Sequence, residues 1–95
     1  MVSVIDDQWS ADLKEIKFNE GYKYVLVVID VFSKYLWMHS LRDKKGTSVA
    51  HALREIFEQG RIPKRIRTDK GQEFRAKEVP DVLNNFGVIH LNAKN

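Results

Sequence analysis

No cysteine occurs among the 95 residues, so neither a disulfide framework nor a cysteine-bearing zinc site can hold this chain together. That usage is compatible with a reducing compartment. An apolar run of membrane length is also missing. The longest, residues 22–32, is interrupted by Lys23 and Asp30 and falls well short of the ~20 residues that cross a bilayer as a helix. The opening MVSVIDDQW has neither the basic region nor the apolar stretch of a secretory signal. A soluble, intracellular protein without a membrane partner is the expectation. Linkers, internal repeats and low-complexity tracts are lacking too, so residues 1–95 read as one small domain, too short for two independent cores.

What is present points to a packed core and an uneven charge. Hydrophobic residues make up 43% of the chain and include two Trp, three Tyr and five Phe, which excludes a disordered tail. The formal net charge is only +3, yet it is not spread evenly. Residues 1–20 hold Lys14 and Lys17 against Asp6, Asp7, Asp12, Glu15 and Glu20, whereas residues 61–77 hold seven cations against Asp69 and Glu73. Basic residues around an acidic pair could draw in a polyanion while keeping carboxylates for a cation. A solvated charged face explains the same run equally well.

Periodicity gives the element order. Across Ser10 to Ile16, Ala11 and Leu13 alternate with Ser10, Asp12 and Lys14, the pattern of a half-buried strand that sets Asp12 on a face. Asn19-Glu20-Gly21 supplies a turn. Tyr22 to Asp30 is β-branched and aromatic on both faces and predicts a strand covered on both sides. A turn through Phe32-Ser33-Lys34 leads to a third strand, Tyr35 to Leu41. Val49, Ala52, Leu53, Ile56 and Phe57 fall at helical spacing, with Thr47 as the expected N-cap and Gly60 past the end. Lys64 to Thr68 reads as a strand entered after Pro63. A second helix carries Val79, Val82, Leu83 and Phe86, with Pro80 in its first turn and Gly87 ending it. Val88 to Leu91 closes the order βββαβαβ, a mixed α/β domain whose last two strands should run parallel to their sheet partners.

Two aspartates stand out in that frame. Asp12 lies on the first strand and Asp69 at the end of the fourth; if those strands are parallel neighbours, both carboxylates reach one edge of the sheet. Hard cations such as Mg²⁺ take oxygen ligands and often use only one or two protein carboxylates. Gly71 keeps the adjacent loop small enough for a nucleic-acid backbone to approach.

Trp9-Ser10-Ala11-Asp12, then Tyr24-Val25-Leu26-Val27-Val28-Ile29-Asp30-Val31-Phe32-Ser33-Lys34-Tyr35, then Thr68-Asp69-Lys70-Gly71-Gln72-Glu73-Phe74 together resemble the catalytic core of retroviral-type integrases, especially those of retrotransposons and Maverick/Polinton-like elements. The three pieces occur in the family's order, from about Trp9 to the end of the chain. The resemblance implies an RNase H-like mixed sheet flanked by helices, with Asp12 and Asp69 as the first two carboxylates of a DDE triad. It also implies Mg²⁺ or Mn²⁺, DNA as partner, and phosphodiester transfer that joins element DNA to a target; a nuclear location is expected, and so is a homo-oligomer, because loss of the final helices would uncover apolar area. Lys70, Gly71 and Arg75 become the candidate nucleic-acid contacts, although solvated roles for Lys70 and Arg75 stay open.

The resemblance also implies a third acid, a glutamate, which in the family follows the second aspartate by more residues than the 26 that remain after Asp69 here. The expectation is therefore a partial core, without the family's C-terminal helices, with weak metal binding and little or no catalysis alone. It stands as a truncated piece or the relic of an element. Glu73 is a poor substitute, expected to cap or face solvent. His39, His51 and His90 are isolated and show no zinc spacing. Asp30 should bond the Ser33-Lys34 turn, and Trp9, Phe32, Tyr35 and Trp37 should pack the sheet. An alternative function is a non-catalytic, element-derived protein that binds nucleic acid or self-associates. A ribonuclease H ranks below both because residues 68–74 favour integrases.

Overall fold

Apolar–polar alternation extends the first strand beyond its expected ends. The computed structural model describes residues 4–19, 21–69 and 71–92, and in it β1 spans Gln8–Phe18, β2 Gly21–Asp30 and β3 Leu36–Leu41. These are followed by α1 Gly46–Phe57, β4 Arg65–Thr68, the one-turn α2 Gln72–Arg75, α3 Glu78–Asn85 and β5 Ile89–Asn92. The sheet order is β3-β2-β1-β4-β5. β1 is antiparallel to β2, and β2 to β3, while β1–β4 and β4–β5 are parallel. Both late strands therefore run as expected, because the helices before them carry the chain back across the sheet.

Side-chain parity divides the sheet into two unlike faces. Trp9, Ala11, Leu26, Val28, Trp37, Leu41 and Ile66 are buried and join the helix residues Val49, Leu53, Ile56, Phe57, Phe74, Val79 and Leu83 in one core. Trp9 sits at its centre, 4.2 Å from the Trp37 ring and 5.8 Å from Phe57 between centroids. Each fully buried Phe or Leu contributes roughly 2 kcal/mol of transfer free energy. Residues of opposite parity meet no helix: Ser10, Leu36, Met38 and Ile89 are exposed, and Val25, Val27 and Ile29 are half-buried. β2 is thus covered on one side among the described residues, not on both. Its apolar character on the second face follows from the neighbouring strands, which bring Met38 opposite Val27 and Leu36 opposite Ile29.

Several local expectations need correction. Lys45, not Thr47, is the N-cap of α1. Its carbonyl accepts from Ser48 and Val49 N–H, while the Asp43 carboxylate accepts from Lys45 N–H and the Ser48 hydroxyl, so the turn before the helix organises the entry. α2 went unforeseen because one turn carries a single buried apolar residue, Phe74, and hence no period. Phe32 is exposed rather than packed, whereas Tyr35, also exposed, still sets its ring edge-on to Trp37 at 4.7 Å between centroids. Among the described residues no helix is long and apolar enough to cross a membrane.

A candidate carboxylate cleft

The parallel pairing of β1 with β4 brings the two marked aspartates together. Ser10 pairs with Arg67, and the same register continued two residues sets Asp12 opposite Asp69, on the face without helices. Both line one shallow cleft with Ser10, Ala11, Arg67 and Thr68. Asp12 stands within a long strand, so its backbone is fixed by pairing to Val27. Asp69 follows the last residue of β4 and belongs to a loop.

That loop is held by side chains. Asp69 Oδ1 accepts from the Gly71 N–H at 2.8 Å, an Asx turn that aims the carboxylate. Thr68, buried beneath, has its hydroxyl 3.0 Å from the Asp69 carbonyl, to which it donates, and 2.7 Å from His90 Nε2 on β5. With the hydroxyl proton directed to Asp69, His90 is the donor to Thr68. Burial lowers the His90 pKa below the ordinary histidine value. This link was not foreseen: His90 and Thr68 share the covered face, but the strand pairing that joins them is invisible locally.

A Cβ at Gly71 would overlap the Glu73 carboxylate and approach Asp69 Oδ1 to 3.0 Å. The overlap is with the movable end of the Glu73 side chain, which lies in the first turn of α2 and fills the space beside Gly71. Arg75 is exposed in the last turn of the same helix and is not among the cleft-lining residues. Lys70 lies outside the described residues.

Two cations of the basic stretch are held in ion pairs. Arg61 Nη2 bonds Asp6 Oδ1 and Asp30 Oδ2, each at 2.8 Å, and Arg65 Nη2 stands 3.4 Å from Asp7 Oδ1. Arg67 alone of these arginines lines the cleft. Lys14, two residues along β1, places its ammonium 3.0 Å from Asp12 Oδ2. Two of the histidines are also less isolated than their spacing implied. His39 of β3 reaches Glu55 at 2.6 Å and fastens α1 to the sheet edge, while His51 stands 3.5 Å from the same carboxylate within α1.

Among the described residues no three His, Cys, Asp or Glu side chains gather as a metal-holding group. The pair Asp12 and Asp69 offers only oxygen, is open to solvent, and leaves oxygens unused by Lys14 and Gly71. Such a donor set suits Mg²⁺ or Mn²⁺, which keep waters and share phosphate oxygens, better than zinc.

Comparison with known proteins gives a consistent outcome. The model of a family described as the integrase core domain matches residues 6–94. A transposon-derived protein of Caenorhabditis elegans is 40% identical over 68 residues, which cover 70% of this chain and 24% of that protein. The Pol polyprotein of Feline endogenous virus ECE1 is 33% identical over 82 residues, covering 84% of this chain and 8% of the polyprotein. The chain therefore spans about a quarter or less of these relatives. Among solved structures, the HTLV-2 integrase catalytic core domain in complex with magnesium, in a trimeric form, superposes with a TM-score of 0.84 at 18% identity, covering 93% of this chain and 60% of that one. A chain of the simian T-cell lymphotropic virus intasome gives 0.85 at 17% identity, covering 93% and 32%. At such identity the likeness concerns the fold: five mixed strands with helices.

Proposed function

Because the chain belongs to the integrase core domain family, we propose that it is a partial catalytic core whose parent activity is divalent-metal-dependent phosphodiester transfer in DNA integration. The observation that carries this reading is the shared cleft: Asp12 from β1 and Asp69 from the end of β4 line it together. Asp12 and Asp69 are the catalytic, metal-holding pair. When bound, Mg²⁺ or Mn²⁺ neutralises phosphoryl oxygens and makes a bound water or hydroxyl a stronger nucleophile. The chain's own contribution is positioning. β1 fixes Asp12, Gly71 N–H aims Asp69, and the His90–Thr68 link ties the Asp69 carbonyl to β5. Lys70, Gly71 and Arg75 remain the proposed nucleic-acid contacts. DNA is the partner, and action on host DNA places the protein in the nucleus.

Two carboxylates hold a hard cation weakly, so the 95-residue chain is expected to show little or no strand transfer. Metal binding is accordingly the direct test. Mn²⁺ titration should give a weak site that Asp12→Asn and Asp69→Asn each weaken by about tenfold, or 1.4 kcal/mol, with circular dichroism unchanged. Equal Mn²⁺ affinity in the parent and both variants rejects the assignment. A second reading, a non-catalytic self-associating protein, is favoured by one feature: exposed Leu36 and Met38 on the open sheet face.

A further inference from the structure

The geometry points to Arg67 as a phosphate-binding residue that seats a nucleic-acid strand across the carboxylate cleft, a role resting on the metal reading above and placed on a residue outside the loop contacts. Parity puts Arg67 on the open face, because its strand partner Ser10 is exposed there and Thr68, the next residue, is buried on the other. The same parity carries Asp12 and Asp69, and all three side chains line one cleft. Neighbouring strands lie about 4.8 Å apart, so a guanidinium on β4 is within a side chain's reach of any group seated between the two acids.

Electrostatics give that position a purpose. Two carboxylates facing one cleft repel a phosphodiester; the Lys14 ammonium offsets one of the two charges, and a guanidinium in the cleft offsets the other even before a divalent ion is bound. Arginine suits this need better than lysine, since its planar fork donates two parallel hydrogen bonds to phosphate oxygens and keeps its charge at any working pH. Arg61 and Arg65, by contrast, are engaged by Asp6, Asp30 and Asp7. Among the described residues the Arg67 guanidinium has no ion-pair or hydrogen-bond partner, although two carboxylates share its cleft. Lys14 takes the ion pair with Asp12 instead, which leaves the fork of Arg67 open to a ligand.

The probe is a short fluorescein-labelled DNA duplex titrated by anisotropy against the full chain, without divalent ion and over a series of salt concentrations. Arg67→Ala should weaken binding about fivefold at low salt and reduce the slope of log affinity against log salt by about 0.9, one phosphate contact. Arg67→Lys should restore the slope but only part of the affinity. Mn²⁺ affinity, measured separately, should be equal or higher in Arg67→Ala, because a positive charge beside the site is gone. An unchanged slope and affinity in Arg67→Ala overturns the role, as does a parent chain that binds no duplex at low salt. Either result leaves the metal reading intact. That reading fails on its own observable, Mn²⁺ binding unaffected by Asp12→Asn. A loss of DNA affinity matched by an equal loss of Mn²⁺ affinity and a lower melting temperature also overturns the role, since it marks a structural arginine.

Discussion

At Asp30 a carboxylate with no exposed surface ends β2 and accepts from Phe32 N–H at 3.1 Å, Ser33 Oγ at 2.9 Å, Asp6 N–H at 3.2 Å and Arg61 Nη2 at 2.8 Å. Burial by itself would raise its pKa. The hydrogen bonds from Ser33, Asp6 and Phe32 and the charge of Arg61 outweigh that, and the pKa falls below the ordinary 3.8. Arg61 is in turn stacked over Trp37 and Tyr35, 4.9 and 5.1 Å from their ring centroids. The sign for stability follows: a group whose folded pKa is depressed stabilises fully above its unfolded pKa and loses that contribution as pH falls through the folded value. Asp30→Ala should therefore cost about 1–3 kcal/mol at neutral pH, because it strands the donors of Ser33, Asp6 and Phe32 while Arg61 keeps Asp6, and should flatten the acid limb of the stability curve. Thermal melts from neutral pH down to about 3 check both effects. A variant as stable as the parent at neutral pH would show that the cluster is solvated. The Ser33 bond was legible, since an aspartate before a Phe-Ser-Lys turn bonds locally. Arg61 was not, because it lies 31 residues away and is brought in by the sheet alone.

Elements show where periodic signals succeed and where they fail. α1 was legible from Val49, Ala52, Leu53, Ile56 and Phe57, all buried in the structure, because a helix of three turns repeats its apolar stripe. Its start was not. Gly46 opens the helix, buried, where a Cβ would collide with that of Ala76 in the link between α2 and α3. Glycine is selected there by close approach to another element, which no local pattern reveals. Gly46→Ala consequently sets a helix-propensity gain of about 1 kcal/mol against overpacking of about 1–3 kcal/mol. The variant should be destabilised by about 1 kcal/mol, read as a lower midpoint in urea with an unchanged slope. A raised midpoint would mean that the Ala76 link yields freely. The candidate site divides in the same way. The face of Asp12 could be read from alternation, whereas its neighbour β4 is chosen by a crossover and becomes visible only as Ser10 paired with Arg67. Arg67 itself carried a usable sign: two residues before Asp69 in a strand, it had to share that aspartate's face.

On the scale of the whole molecule, the division between a helix-covered and an open face has a consequence for association. Side chains of Met38 and Leu36 are 64% and 47% exposed, and they adjoin Val27 and Ile29 across β2. A contiguous apolar strip of this kind, beside the polar half that bears Asp12 and Arg67, marks a surface that gains by being covered. The self-association proposed above would use this strip. Burying a Met side chain contributes about 1.5–3 kcal/mol, and a two-fold interface uses it twice. Met38→Glu would place like charges at the same contact. Sedimentation of the parent chain should show concentration-dependent association, and Met38→Glu should stay monomeric over the same range with an unchanged far-ultraviolet spectrum. DNA affinity offers a separate control, because Met38 lies on β3, two strands away from β1 in the sheet, and outside the carboxylate cleft. If the parent remains monomeric throughout, or the variant associates as strongly, the open face is not the oligomer contact.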